Sequence, residues 1–221
     1  GQVQPASIDL RLGTVAYRVR ASFLPGANAT VEDKLKNITM HKIDLTNGAV
    51  LEKGCVYIVP VQESLNLPAD TSGMANPKSS TGRLDIFTRV ITDGAAEFDR
   101  IEAGYNGPLY AEISPLTFSV LVHPGVTLSQ LRLRRGVFEV ADGVAFTVDL
   151  TGFDVDGQNK KIVGYKAKQH AGVVDVEKIS HYDVLDYWDP IIAREDKALI
   201  LDPDEFYILA SKEAVSLSLI H

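Results

Sequence analysis

The sequence predicts an all-β protein of the sandwich or barrel type, and three observations carry that prediction. Short alternating or β-branched runs recur along the whole chain, turn-forming residues separate them at short intervals, and few stretches beyond ten residues keep a helical period. Taken in order, residues 7–13 (SIDLRLG) alternate polar and apolar side chains, as a strand with one buried face must. Residues 55–68 (CVYIVPVQESLNLP) open as an apolar run and end in alternation. Residues 84–92 (LDIFTRVIT), 109–114 (LYAEIS), 118–125 (FSVLVHPG), 126–133 (VTLSQLRL) and 144–150 (VAFTVDL) read as further strands. Asn47-Gly48, Asn106-Gly107-Pro108 and Pro124-Gly125 are turn signals, because Asn and Gly accept positive φ and proline cannot donate to a ladder. Residues 181–188 (HYDVLDYW) form the best candidate for a helix or an irregular loop.

A chain of 221 residues, 45% of them hydrophobic, buries a full core and suits one large domain or two small ones. With a net charge of −7 and a pI of about 5.2, any anion must be captured by a local patch against the overall field. This argues against broad binding to duplex nucleic acid. The single cysteine, Cys55, excludes an internal disulfide and fits a reducing compartment. Apolar runs are short and interrupted by charge, so neither a membrane span nor a signal peptide is expected, and the expected location is the cytoplasm. The chain opens at Gly1 directly into a strand-like segment, which suggests that residues upstream have been removed.

An internal repeat runs through the sequence. Residues 51–68 (LEKGCVYIVPVQESLNLP) align without gaps with 201–218 (LDPDEFYILASKEAVSLS), and SIDL at Ser7 is echoed by TVDL at Thr147. Both anchors fall in the same order in the two halves. The expectation is a first domain over residues 1–140 and a second, degenerate copy over 144–221, which ends soon after the strand that precedes the lysine-serine loop in the first copy.

That loop is the first chemical signal. Residues 76–90 (NPKSSTGRLDIFTRV) gather Lys78, Ser79, Ser80, Thr81 and Arg83, all proton donors suited to phosphate oxygens; a solvated turn entering a strand has the same composition. The second signal is a pair of carboxylates. If Asn106-Gly107 is a two-residue hairpin, Glu102 and Glu112 lie on the arms flanking one turn, where one can be ionised while the other holds a proton. Glu102, among charged neighbours, reads equally well as an exposed strand residue. Glu112 lies between Tyr110, Ala111 and Ile113, and an inward-facing carboxylate there needs a functional explanation. Metal-centred chemistry is poorly supported, because His41, His123, His170, His181 and His221 are dispersed and form no HExxH or HxH pair. With one cysteine there is no CxxC, and the zinc-deaminase signature is absent. A nucleophile elbow, a Walker loop and GxGxxG are missing as well.

Four motifs in order, QPASIDLRLG, NPKSSTGR, AGYNGPLYAEIS and PGVTLSQLRL, spanning residues 4–133, closely resemble the dCTP deaminase branch of the dUTPase superfamily. The resemblance implies a dUTPase-like distorted β-barrel or sandwich, here in tandem form, with residues 1–140 as the catalytic domain. It implies hydrolysis of dCTP to dUTP and ammonia, feeding dUMP and dTTP synthesis, without zinc. Lys78, Ser79, Ser80 and Arg83 would hold the triphosphate with its Mg²⁺. Gln130 matches a family glutamine near the phosphates, although a strand amide is the rival role. Tyr105 matches an aromatic residue packed on the deoxyribose, although a core tyrosine is the rival there. Glu112 matches the catalytic glutamate, which relays protons between water, cytosine N3 and the departing ammonia. Relatives that also hydrolyse the triphosphate carry aspartate where this chain has Glu102, and the extra methylene argues against efficient diphosphatase activity. Family members form trimers with sites between subunits and close a C-terminal segment over the substrate; a trimer-like homo-oligomer is therefore expected, with dCTP and dUTP as ligands and neither nucleic acid nor membrane as partner. Two alternatives stand beside this reading: a dUTPase or bifunctional deaminase-diphosphatase, and a non-catalytic nucleotide-binding regulator.

Overall fold

The computed structural model describes residues 2–136, 145–155 and 161–214. In chain order its elements are β1 (Ile8–Arg11), β2 (Val15–Val19), α1 (Val31–Ile38), β3 (Thr39–Asp44), β4 (Ala49–Leu51), β5 (Val56–Asn66), β6 (Thr71–Pro77), α2 (Ser79–Arg83), β7 (Ile86–Thr92), β8 (Arg100–Ile101), β9 (Asn106–Pro115), β10 (Val120–Val122) and β11 (Thr127–Arg135). There follow β12 (Phe153–Asp154), β13 (Lys161–Ala167), β14 (Val174–Asp175), α3 (Val184–Tyr187), β15 (Trp188–Ile192) and β16 (Tyr207–Leu209). The architecture is mainly β, as the alternating runs require. No described helix is long and apolar enough to cross a membrane.

The chain divides into two compact units, one comprising Gly1–Phe138 with Val173–Ile179 and the other Glu139–Gly172 with Ser180–His221. Much of the expected boundary, residues 137–144, lies outside the described residues. In the first unit, a five-stranded sheet has the order β3-β2-β5-β9-β7, beside a four-stranded sheet β1-β11-β6-β8 and a three-stranded sheet β14-β10-β4. The centre of β9, from Leu109 onward, is buried on both faces, which explains a continuous run where half-buried strands alternate. β5 pairs with it in antiparallel register, Ile58 opposite Glu112 and Val59 opposite Ala111, and β7 pairs on the other side, Arg89 opposite Glu112.

One face of this sheet is covered by α1, which the search for long helical periods did not predict. It is only eight residues long, and its start is local chemistry. The Thr30 side chain accepts from Asp33 N–H (3.1 Å), while Asp93 accepts from Val31 N–H (2.7 Å). Val31 and Leu35 then pack on Val19, Ile58, Ile91, Ala95 and Tyr110. Burying such an aliphatic side chain stabilises by about 1.5–3 kcal/mol, more than the intrinsic propensity of a two-turn helix supplies.

The expected hairpin at Asn106-Gly107 is not there. Both residues lie inside β9, opposite Asn66 and Leu65. The turn falls earlier, where Tyr105 N–H donates to Glu102 O (3.1 Å) and Gly104 takes the positive φ of +75°. The strand before that turn, β8, pairs with β6 and not with β9. Glu102 and Glu112 are therefore not on two arms of one hairpin. The left-handed residue that a turn needs was available in Gly104, leaving Asn106-Gly107 free to extend the ladder.

In the second unit, β13 pairs with β12, β15 and β16. Several features of its pairing have counterparts in the first unit. Arg18 stands opposite Tyr57 in the first unit, and Lys166 stands opposite Tyr207 in the second. The Tyr57 hydroxyl accepts from Glu52 N–H (2.9 Å), and the Tyr207 hydroxyl from Asp202 N–H (3.0 Å). Arg18 pairs with Glu52 (3.1 Å), and Lys166 with Asp202 (3.2 Å). In each unit a helix runs directly into the next strand, α1 into β3 and α3 into β15. Of these, Glu52 with Asp202 and Tyr57 with Tyr207 are matched in the alignment of 51–68 with 201–218, of which residues 215–218 lie outside the described residues. The upstream anchor needs a correction. Val148 bridges Ser211 as Leu12 bridges Val61, so Val148 occupies the place of Leu12 and not of Ile8, a shift of four residues from the SIDL/TVDL match.

Candidate active site

The lysine-serine loop folds as the short helix α2 rather than as an open turn. It leaves β6 at Lys78, whose N–H donates to Leu128 O (2.9 Å), and it is pinned underneath by the buried Thr81 hydroxyl donating to Leu128 O (2.8 Å). The side chain of Lys78 donates to Asp9 Oδ2 (2.6 Å) and to Thr127 Oγ1 (2.9 Å). Asp9 belongs to the SIDLRLG segment, so the first and second motifs meet in an ion pair. Ser79, Ser80 and Arg83 are exposed. Lys78, Ser80, Thr81 and Thr127 line a cavity of about 350 Å³, closed on another side by Val176, Glu177 and Ile179. Gln130, opposite both Asp9 and Asn76 in the ladder, accepts from the Ser7 hydroxyl (3.1 Å).

Glu112 is 1% exposed, on β9 between β5 and the edge strand β7 of the five-stranded sheet. Its partner is a residue the sequence reading passed over. Arg89, directly opposite on β7, donates from Nε (3.1 Å) and Nη2 (2.5 Å) to the same oxygen, Oε1. Oε2 is buried and has no hydrogen-bond partner among the described residues. A buried carboxylate oxygen left in that state costs about 1–3 kcal/mol, which is why such atoms are rare outside sites that await a water or a ligand. Arg89 is itself held. Its guanidinium lies 3.5 Å from the centre of the Phe98 ring and 4.8 Å from that of Phe87, and Nη2 donates to the Ser22 hydroxyl (2.7 Å). The neighbouring carboxylate is Asp99, which accepts from Val90 N–H (2.7 Å) with the backbone at a left-handed φ of 64°. Burial pushes Asp99 above its ordinary value, and the charge of Glu112 adds to the rise against the opposing effects of Val90 N–H and Arg89.

Glu102 stands apart from this pair. Its side chain is 73% exposed and pairs with Arg100 Nε (3.1 Å), so the second carboxylate near Glu112 is Asp99 instead. Tyr105 folds over the start of β9, its hydroxyl donating to Pro108 O (2.6 Å) and accepting from Asp93 N–H (3.2 Å). A side chain at Gly107 would stand 2.7 Å from that hydroxyl, so the ring and Gly107 fit only as a pair. Within one chain the Lys78 cavity includes neither Glu112 nor Tyr105. One histidine, His123, meets two carboxylates: its Nδ1 lies 2.8 Å from Glu177 Oε2, and Asp175 joins them within 4.8 Å. Asp175 already accepts from Glu177 N–H (3.1 Å) and lies 3.5 Å from Lys178 Nζ.

Arg89 was open to detection. It interrupts the apolar run LDIFTRVIT just as Glu112 interrupts LYAEIS, and two opposite charges inside neighbouring buried strands satisfy each other best by pairing.

A mainly β unit that presents a donor-rich helical turn on one motif and a buried, arginine-paired carboxylate on another is built on the dUTPase-like β fold. The chain belongs to the 2′-deoxycytidine 5′-triphosphate deaminase family: residues 1–137 match the family's N-terminal domain and residues 126–221 its C-terminal domain. It is similar to the crystal structure of 2′-deoxycytidine 5′-triphosphate deaminase from Agrobacterium tumefaciens, with 56% identity and a TM-score of 0.91, covering 97% of this chain and 69% of that one. The dCTP deaminase of Halorubrum lacusprofundi is 31% identical over 132 residues, which make up 59% of this chain and 62% of that protein. A dUMP-forming dCTP deaminase of Beutenbergia cavernae is 28% identical over 130 residues, 58% of this chain and 64% of that protein. The chain thus spans somewhat under two thirds of these two relatives.

Proposed function

We propose that this chain hydrolyses dCTP to dUTP and ammonia, supplying the deoxyuridine nucleotide pool of the cytoplasm. The single observation that carries the reading is Glu112, buried within a family-matching strand with one oxygen tied down and the other without a partner among the described residues. Oε2 orients a water against C4 of cytosine and takes its proton as the C–O bond forms. The proton passes to N3, and a second transfer to the amino group lets ammonia leave as the C–N bond breaks. Lys78, Ser79, Ser80 and Arg83 hold the triphosphate, with Mg²⁺ arriving on the substrate, and Gln130 reaches the phosphates from β11. Lys78 must then share its charge between Asp9 and the phosphates, which keeps the ammonium aimed without burying it unpaired. Tyr105 packs on the deoxyribose.

Because the Lys78 cavity and Glu112 are not joined within one chain, we place the complete site between copies in a trimer-like assembly. We read the second unit as a second copy of the fold that keeps the strand pattern without the KSSTGR and YNGPLYAEIS motifs, and assign it no site. Glu102, exposed on a turn and paired with Arg100, favours a product that stays at dUTP rather than proceeding to dUMP. The test is incubation of the protein with dCTP and Mg²⁺ without added zinc, resolving dUTP, dUMP and pyrophosphate. dUTP with ammonia in equal amount and no pyrophosphate is expected; dUMP with pyrophosphate would make the chain bifunctional, and nucleotide binding without turnover would make it a regulator.

A further inference from the structure

The orphan oxygen of Glu112 and the doubly donating Arg89 belong to one device. A carboxylate offered two donors of a guanidinium ordinarily accepts one on each oxygen, in a fork-to-fork pair. Here both donors converge on Oε1, at 3.1 and 2.5 Å, and Oε2 receives none among the described residues. The asymmetry is imposed on the arginine from outside: Ser22 draws Nη2 to one side, Phe98 supports the guanidinium plane from 3.5 Å, and Asp99 fixes the backbone of the next residue through Val90 N–H. We infer that Arg89 is the positioning residue of Glu112, holding Oε1 so that Oε2 alone faces the reacting water and cytosine. The inference rests on the deaminase reading above and deepens it.

Three consequences separate this role from mere support of the fold. A positioning residue acts through Glu112 and not on the substrate, so its loss acts on turnover and leaves dCTP affinity nearly unchanged. Its effect runs through the placement of one oxygen, where an error near 1 Å costs on the order of 100-fold in rate. The site it vacates in a shortened variant has the size and charge preference of a free guanidinium ion.

The experiment compares wild type with Arg89→Gln, Arg89→Lys and Ser22→Ala, measuring kcat, KM and dCTP affinity, with circular dichroism to establish folding. For Arg89→Gln, kcat should fall roughly 100-fold with KM and dCTP affinity within threefold of wild type, and added guanidinium should recover at least tenfold of the loss. Arg89→Lys, a charge without the fork, should recover less than Arg89→Gln with guanidinium. Ser22→Ala, which loosens Arg89 without touching Glu112, should lower kcat about three- to tenfold at unchanged KM, and it decides the matter should Arg89→Gln not fold. A folded Arg89→Gln with kcat within threefold of wild type overturns the inference, as does a rise in KM at constant kcat, which would place Arg89 on the substrate. A wild type that forms no dUTP overturns the deaminase reading and this inference with it, whereas an active wild type with insensitive variants overturns this inference alone.

Discussion

Glu112 and Arg89 form a pair whose members are each costly alone and tolerable together. Removing one partner of a buried ion pair costs about 3–5 kcal/mol, because the remaining charge keeps its desolvation penalty. Glu112→Gln keeps an acceptor for Arg89 while losing the oxygen that exchanges protons. It should therefore stop deamination and leave dCTP binding in place, checked by turnover assay and calorimetric titration side by side; turnover within tenfold of wild type would remove Glu112 from the reaction. Arg83→Ala tests the other end of the nucleotide. Charge-assisted bonds are worth roughly 1.5–3 kcal/mol, so dCTP should weaken about ten- to a hundredfold while deoxycytidine is hardly affected. Equal losses for nucleoside and triphosphate would move Arg83 off the phosphates. Asp99 offers a test by pH. Its folded pKa is raised above the ordinary 3.8, chiefly by burial, so the stability it contributes is complete below 3.8 and is lost as pH rises through the raised value. Asp99→Asn keeps an acceptor for Val90 N–H and escapes that loss. Its melting temperature relative to wild type should rise between pH 3.5 and pH 7, and a flat or falling difference would show that Asp99 does not ionise at a burial cost.

Among the elements, two glycines contrast in what their strands and helices allow. Gly164 lies in β13 opposite Leu209, beside the register shift between Ile162 and Gly164. A side chain there would run into the Ile208 carbonyl and stand 3.0 Å from Leu209 Cα, both backbone atoms that cannot turn aside. Gly164→Ala should destabilise the second unit by about 1–3 kcal/mol, read as a lower melting temperature with exchange protection lost at β13 and β16 before β9. Gly82, within α2, meets nothing within 4 Å and has no positive φ, so the same change there should be neutral or stabilising by about 0.5–1 kcal/mol. The short helices illustrate the same balance. α1 and α3 each begin with a side-chain cap, Thr30 and Asp183, and each is followed at once by a strand, so their length is set by the sheet they feed.

For the whole molecule, the position of Val173–Ile179 decides how the chain can be divided. This segment comes from beyond residue 140 in sequence, yet β14 pairs in parallel with β10, Val120 opposite Val174, as part of the first unit. His123 Nδ1 lies 2.8 Å from Glu177 of the same segment, and Val176 and Ile179 wall the cavity beside Lys78. A chain cut before Val144 would lose this strand along with the second unit. It would expose the β10 edge to other chains. Such a truncation should be markedly less soluble than the intact chain and should bind dCTP at least tenfold more weakly, measured by sedimentation and titration. A truncated chain with unchanged solubility and affinity would show that the segment is dispensable. Titration of the intact protein should find no more than one dCTP site per chain, since the KSSTGR motif occurs once in the sequence.

What the sequence determined by itself is whatever depends on neighbours a few residues apart. The β class was legible because alternation and turn residues act locally, and Glu112 announced itself as a charge inside an apolar run. The Lys78 loop was legible as a cluster of donors, although not as a helical turn. Strand register is set by contacts between distant segments. A slip of one residue exchanges the two faces of a strand, so the local pattern that marks Arg89 as a charge inside an apolar run does not fix its register opposite Glu112, and it does not tell whether Val148 matches Ile8 or Leu12. The same holds for the pairing of Lys78 with Asp9 across 69 residues and for the return of β14 to the first unit. Each of these contacts is made only after distant segments have met, and its energy comes from a partner whose identity is written elsewhere in the chain.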